Sequence, residues 1–127
     1  MTQEEKQLLL KDICARLHYG VKIKTSMGDG ILCSIDYIPD GAYLGVSING
    51  AVKDYWEFQF TKPYLRPMSS MSEKEKAEYN STFDYIGGLK VATSNSIDFL
   101  NSHYLDYRGL IPLKLALKAK KGMYKTE

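Results

Sequence analysis

Ala42-Tyr43-Leu44-Gly45-Val46-Ser47-Ile48-Asn49-Gly50-Ala51-Val52 is the stretch that decides the fold class of this chain. Asn49-Gly50 separates two apolar runs, and both central residues of a tight hairpin turn need positive φ, which Asn and Gly adopt with least strain. Downstream, Ala51 to Phe60 alternates: Val52, Asp54, Trp56, Phe58 and Phe60 on one face, Tyr55, Glu57 and Gln59 on the other. Upstream, Pro39-Asp40-Gly41 reads as a turn, and Ile31 to Ile38 as a strand with Ile31, Cys33, Ile35 and Tyr37 sharing a face. Further back, Gly28-Asp29-Gly30 reads as another turn, and Val21 to Thr25 sets Val21 and Ile23 against Lys22 and Lys24. Runs this close predict an antiparallel meander of four to five strands. Such a sheet curls, with a small open barrel as one outcome.

Helices flank this sheet. Thr2 and Glu5 form a capping box ahead of an apolar stripe of Leu9, Leu10, Ile13 and Leu17, with Lys6, Lys11 and Arg16 pointing elsewhere. Gly20 ends that helix or begins the turn into the sheet. The two prolines of Lys62-Pro63-Tyr64-Leu65-Arg66-Pro67 favour an extended, polyproline-like segment. Ser72 and Glu75 open a short polar helix to about Asn80, and Gly87-Gly88 breaks the chain. Ser94 or Ser96 caps a helix near Ile97 to Tyr104, striped by Ile97, Leu100 and Tyr104. Leu113, Leu115 and Leu117 alternate with Lys114 and Ala116 as in a last strand, with a helix as the alternative. The expectation is one α+β domain over residues 1–127: an N-terminal helix on a curled antiparallel sheet, with short helices in the C-terminal half.

The 127 residues suffice to bury a core without metal or disulfide. Seventeen basic and 15 acidic side chains give a net charge of +2, too even to imply nucleic acid by itself. Cys14 and Cys33 are expected as free, partly buried thiols in a reducing cytosol. No apolar run reaches the ~18 residues of a membrane span, and the polar, acidic N-terminus is the reverse of a secretory signal. The sequence therefore reads as cytoplasmic and free of membrane.

Chemistry-bearing patterns are sparse. His18, His103, Cys14 and Cys33 fall at no metal-ligand spacing. No glycine loop has the strand and helix context that cradles phosphate, and no serine has a triad-like partner. The carboxylate pairs Asp36/Asp40 and Asp54/Glu57 read as ordinary acidic turn residues. His103, Asp106 and Arg108 form a polar cluster whose plainer reading is the wet end of a helix. Two leads survive. Lys114, Lys118, Lys120, Lys121 and Lys125 form a basic tail with no acid before Glu127, able to attract phosphate oxygens or an acidic protein surface. A solvated terminus is its plainer reading. The aromatic and basic stretch from Tyr55-Trp56 to Tyr64 and Arg66 is the second. Alternation assigns Trp56, Phe58 and Phe60 to the core and leaves Tyr55 and Tyr64 freer.

Four segments carry a resemblance: Lys62-Pro63-Tyr64-Leu65-Arg66-Pro67-Met68-Ser69-Ser70-Met71, Ser94-Asn95-Ser96, Asp106-Tyr107-Arg108-Gly109-Leu110-Ile111 and Gly122-Met123-Tyr124. Together they resemble a family of small uncharacterised proteins found in phages and mobile elements of gut Bacteroidales, along nearly the whole chain. The resemblance implies an accessory protein of a bacterium or its phage, and transfers no catalytic or ligand residue. With no catalytic set and abundant Tyr, the expectation is a non-enzymatic binding protein that inhibits or sequesters a host component, either a defence protein or a small nucleotide signal. A nucleotide would want Arg66 or Arg108 for phosphate and Tyr64 or Tyr107 for the base. No cofactor is implied. The alternatives are a nucleic-acid-binding module using the curled sheet and the lysine tail, and a structural or assembly protein in a homo-oligomer.

Overall fold

A computed structural model describes residues 1–38 and 41–124, with residues 38 and 52–55 described in their backbone only. Helix α1 (Gln3–Arg16) opens on the expected capping box: Thr2 accepts from the Glu5 N–H, and Glu5 accepts from the Thr2 N–H. A 3-10 turn (Leu17–Tyr19) and Gly20 at φ 69° lead into the sheet. Strands β1 (Lys22–Thr25), β2 (Gly28–Ile38), β3 (Gly41–Ile48) and β4 (Ala51–Glu57) form an antiparallel meander. Asn49 (φ 53°) and Gly50 (φ 81°) make the tight turn as their identities demand.

The chain departs from the alternating pattern where it is forced to bend. The turn between β1 and β2 is Ser26-Met27, and Gly28-Asp29-Gly30 is strand, not turn. Gly30 is required by crowding: a Cβ there would lie 2.5 Å from the Ser47 carbonyl oxygen and from a Val46 methyl. The register passes from Leu32↔Val46 to Ser34↔Gly45, so Cys33 is the extra residue of a bulge. Ile31 and Cys33 therefore face outward, whereas Ile35 lies opposite core Leu44. The expected common face of Ile31, Cys33, Ile35 and Tyr37 does not exist. The turn expected at Pro39-Asp40-Gly41, and the face assigned to the Val52, Asp54 and Tyr55 side chains, lie outside the described residues.

After β4 the chain tightens into a 3-10 turn (Phe58–Phe60), and β5 (Lys62–Leu65) returns to pair with β1. The segment expected to be polyproline-like is thus a sheet strand. Pro63, which lacks an N–H, sits within β5 opposite Ile23. Then come α2 (Glu73–Ser81), capped by Ser72 with Glu75, an outlying hairpin of β6 (Asp84–Ile86) and β7 (Leu89–Val91), and α3 (Ser94–Ser102). Thr93 caps α3, and Ser96 is its third residue rather than its cap. The last strand, β8 (Leu117–Lys118), pairs with β5 in parallel. The sheet is six-stranded, mixed and open, in the order β4-β3-β2-β1-β5-β8. The expected antiparallel sheet of four to five strands, with a small open barrel as one outcome, is corrected to six strands that include one parallel pair and do not close. The last strand expected over Leu113 to Leu117 begins only at Leu117: residues 110–114 are turns, Leu113 is exposed, and the Leu115 N–H bonds to the Leu110 carbonyl.

The core lies between α1 and the inner sheet face. Leu9 and Ile13 meet Val21, Ile23, Leu32, Leu44, Val46, Leu65, Leu110 and Leu115. Burying each such side chain contributes about 1.5–3 kcal/mol. No helix among the described residues is long and apolar enough to cross a membrane.

Candidate functional site

Arg16, expected to point away from the core, is completely buried beside an equally buried Asp12. Four residues apart on α1, they share a helix face. The Arg16 guanidinium donates to both Asp12 oxygens at 3.0 Å and to the Leu105 carbonyl at 2.7 Å. Arg108 donates to Asp12 Oδ1 at 2.9 Å, and both guanidiniums lie over the Tyr107 ring, at 4.5 Å for Arg108 and 5.4 Å for Arg16. The Tyr107 hydroxyl donates to Asn101. Tyr107 and Arg108 thus tie the loop after α3 to α1. Replacing either partner of such a pair leaves an uncompensated buried charge, at a cost of about 3–5 kcal/mol.

Arg66 is similarly engaged. It grips Glu75 with two bonds of 2.8 Å and donates to the Ser70 and His103 carbonyls. Hydrogen bonding from Arg66, aided by the Ser72 N–H, lowers the Glu75 carboxyl to about 2 against the opposing effect of burial. Tyr64, expected with Tyr55 to be freer of the core, is buried, and its hydroxyl donates to Asp29 Oδ1 at 2.9 Å. His103, Asp106 and Arg108 do not converge. His103 stacks on Phe99, the Asp106 carboxylate accepts from the Leu110 and Ile111 N–H groups, and Arg108 binds Asp12. Cys14 and Cys33 are free thiols, and Cys33 is exposed at its bulge rather than partly buried.

The basic tail acquires a shape. Residues 117–124 pair with β5 at their start and reach β1 at their end. The Tyr124 hydroxyl sits between β1 and β5, accepting from the Lys22 N–H and donating to the Tyr64 carbonyl, both at 2.8 Å. Burial pushes the Tyr124 hydroxyl well above the usual phenol range. Lys120 donates to Asp29 Oδ2 at 3.0 Å and lies over the Tyr64 ring. Burial disfavours the charged form of Asp29, but bonds from Lys120 and Tyr64 outweigh it and lower its carboxyl below the usual range. The bond to Asp29 raises Lys120 in turn, so both stay ionised at neutral pH.

A cavity of about 200 Å³ opens between this segment and the residues after β5, lined by Arg66, Ser70, Lys118, Lys120, Lys121 and Tyr124 among others. Glu75 offsets Arg66 and Asp29 offsets Lys120. Among the described residues, Lys118 and Lys121 make no ion pair, so the cavity carries excess positive charge suited to an anion. Of the expected set, Arg66, Lys118, Lys120 and Lys121 meet here, with the Tyr64 ring beneath Lys120. Lys114 does not line it, Tyr107 and Arg108 belong to the Asp12 cluster, and Lys125 lies outside the described residues.

A second cavity, about 270 Å³, lies across β8 and is lined by Lys24, Thr25, Ser26, Phe60, Lys62 and Leu117. Sequence reasoning missed it because alternation placed Phe60 in the core, yet Phe60 is 73% exposed while Phe58 is buried. Thr61 was the available signal. Its N–H and hydroxyl both bond the Phe58 carbonyl, closing a tight turn that ends the alternation. No family model matches this chain, and no curated protein or solved structure shows significant similarity to it.

Proposed function

We propose that this is a non-enzymatic binding protein that acts by occupancy, sequestering a phosphate-bearing host ligand at its lysine-rich face. The observation that carries this reading is the convergence of Arg66, Lys118, Lys120 and Lys121 on one cavity, with Lys118 and Lys121 uncompensated among the described residues. Phosphate oxygens are the natural partners of clustered, exposed ammonium groups. The accessory role implied by the family resemblance fits an occupant rather than a catalyst. Inorganic polyphosphate, which offers charge and nothing else, is the direct probe. The wild type binds it at low salt, and Lys118→Glu/Lys121→Glu weakens binding by at least tenfold with the fold intact by circular dichroism. Equal binding by both proteins, or none by the wild type, discards the reading.

A second reading, an assembly role, rests on the β6–β7 hairpin. Ile86, Leu89 and Val91 share one of its faces and are 64%, 70% and 39% exposed. Two-stranded hairpins are marginal by themselves, and apolar faces of this kind are commonly covered in oligomers. Light scattering of the wild type against Leu89→Asp distinguishes it: a dimer lost in the variant supports assembly, and a monomer at every concentration removes it.

A further inference from the structure

We infer that the second cavity is a base-stacking platform, and that the ligand of the basic face is a short single-stranded nucleic acid. This rests on the phosphate-binding reading and narrows it. Lys24 and Lys62 are direct cross-strand partners in β1 and β5. Like charges placed opposite one another destabilise a sheet, so a pair kept exposed here points to an anionic partner. Asp29 lies opposite Lys24 on its other side and offsets part of its charge, while its carboxylate oxygens bond Tyr64 and Lys120, and Lys62 has no acid opposite it in β1. Phe60 is exposed and lines one cavity together with both lysines, Thr25 and Leu117. An exposed ring flanked by ammonium groups suits a nucleobase, because stacking tolerates any base while the cations hold its phosphates.

The two cavities adjoin along the chain at β8. Leu117 lines one and its neighbour Lys118 lines the other. β1 and β8 flank β5, so they are two strand spacings apart, or about 10 Å. That distance suits two to three nucleotides, with a base on Phe60 and following phosphates at Lys118 and Lys121. An acidic peptide would use the charge but leave Phe60 without a planar partner.

The test uses the whole protein, a labelled single-stranded oligonucleotide, a duplex of the same sequence, a mononucleotide, a cyclic dinucleotide and inorganic polyphosphate. The single strand binds best, and its affinity falls by about 50-fold between 50 and 200 mM salt if four lysines each meet a phosphate. Phe60→Ala weakens single-strand binding by about 5- to 100-fold and leaves polyphosphate binding unchanged, whereas Phe60→Trp restores it with quenching of the new indole. Phe60 is exposed, so both variants keep the fold. Equal loss of polyphosphate binding in Phe60→Ala, or no loss of either, overturns the platform while the phosphate reading stands. Preference for the duplex or for the cyclic dinucleotide overturns the single-strand assignment. Absence of all binding at low salt overturns both readings.

Discussion

Glu75 serves two elements at once: its side chain caps the start of α2 at the Ser72 N–H and neutralises Arg66 at the end of β5. Its carboxyl is lowered from 4.5 to about 2, chiefly by the Arg66 bonds. A depressed folded value contributes stability that is complete above the unfolded value and lost as pH falls through the folded one, here from about 4.5 towards 2. A shift of that size corresponds to at most about 3 kcal/mol. Glu75→Gln should destabilise the protein at pH 7 by about 3 kcal/mol, since Arg66 stays buried without its counter-charge. It should also flatten the acid limb. Urea midpoints measured from pH 7 to pH 2 check both, and an acid limb as steep as the wild type's would show that another carboxyl dominates. Gly30 is a residue of opposite kind, defined by what it lacks. Gly30→Ala drives a methyl into the β3 backbone and should cost about 1–3 kcal/mol, measured by chemical denaturation; a neutral result would mean that β2 and β3 move apart freely.

At the scale of elements, the segment 117–124 is held by hydrogen bonds to the sheet rather than by a secondary structure of its own. Beyond the two residues of β8, its ties include the Ala119 N–H to the Leu65 carbonyl, Lys120 to Asp29, the Lys22 ammonium to the Met123 carbonyl, the Tyr124 hydroxyl between β1 and β5, and the Tyr124 ring stacked on Tyr104. Tyr124→Phe leaves the Lys22 N–H and the Tyr64 carbonyl without that partner, a loss of about 1–3 kcal/mol. Amide exchange at Lys22 should accelerate, and the segment should become cleavable by trypsin at Lys120 or Lys121 under native conditions. Unchanged exchange at Lys22 would mean that β1 and β5 close on each other directly. The Cys33 bulge acts at the same scale, since one extra residue exchanges the faces of everything after it in β2.

Across the whole molecule, charge is divided between two surroundings. Asp12 and Arg16 are fully buried with Arg108 half-buried against them, whereas Lys118, Lys120 and Lys121 of the lysine-rich face stay in water. Asp29 is the acid that restrains that face, so Asp29→Asn should tighten polyphosphate binding about fivefold at low salt, the effect of roughly 1 kcal/mol from one nearby charge. Titration at 20 mM and 200 mM salt reads this, and weaker binding would place the anion elsewhere. The sequence by itself determined whatever closes within a few residues. The Asn49-Gly50 turn follows from φ preference, and the Thr2/Glu5 and Ser72/Glu75 boxes from donors three residues away. Only the tertiary structure decided which charges are buried and which aromatic is exposed. Arg108 meets Asp12 across 96 residues and Tyr124 meets Lys22 across 102. Burial of an ion or a hydroxyl depends on a distant partner that satisfies it, and no local pattern encodes where that partner will stand.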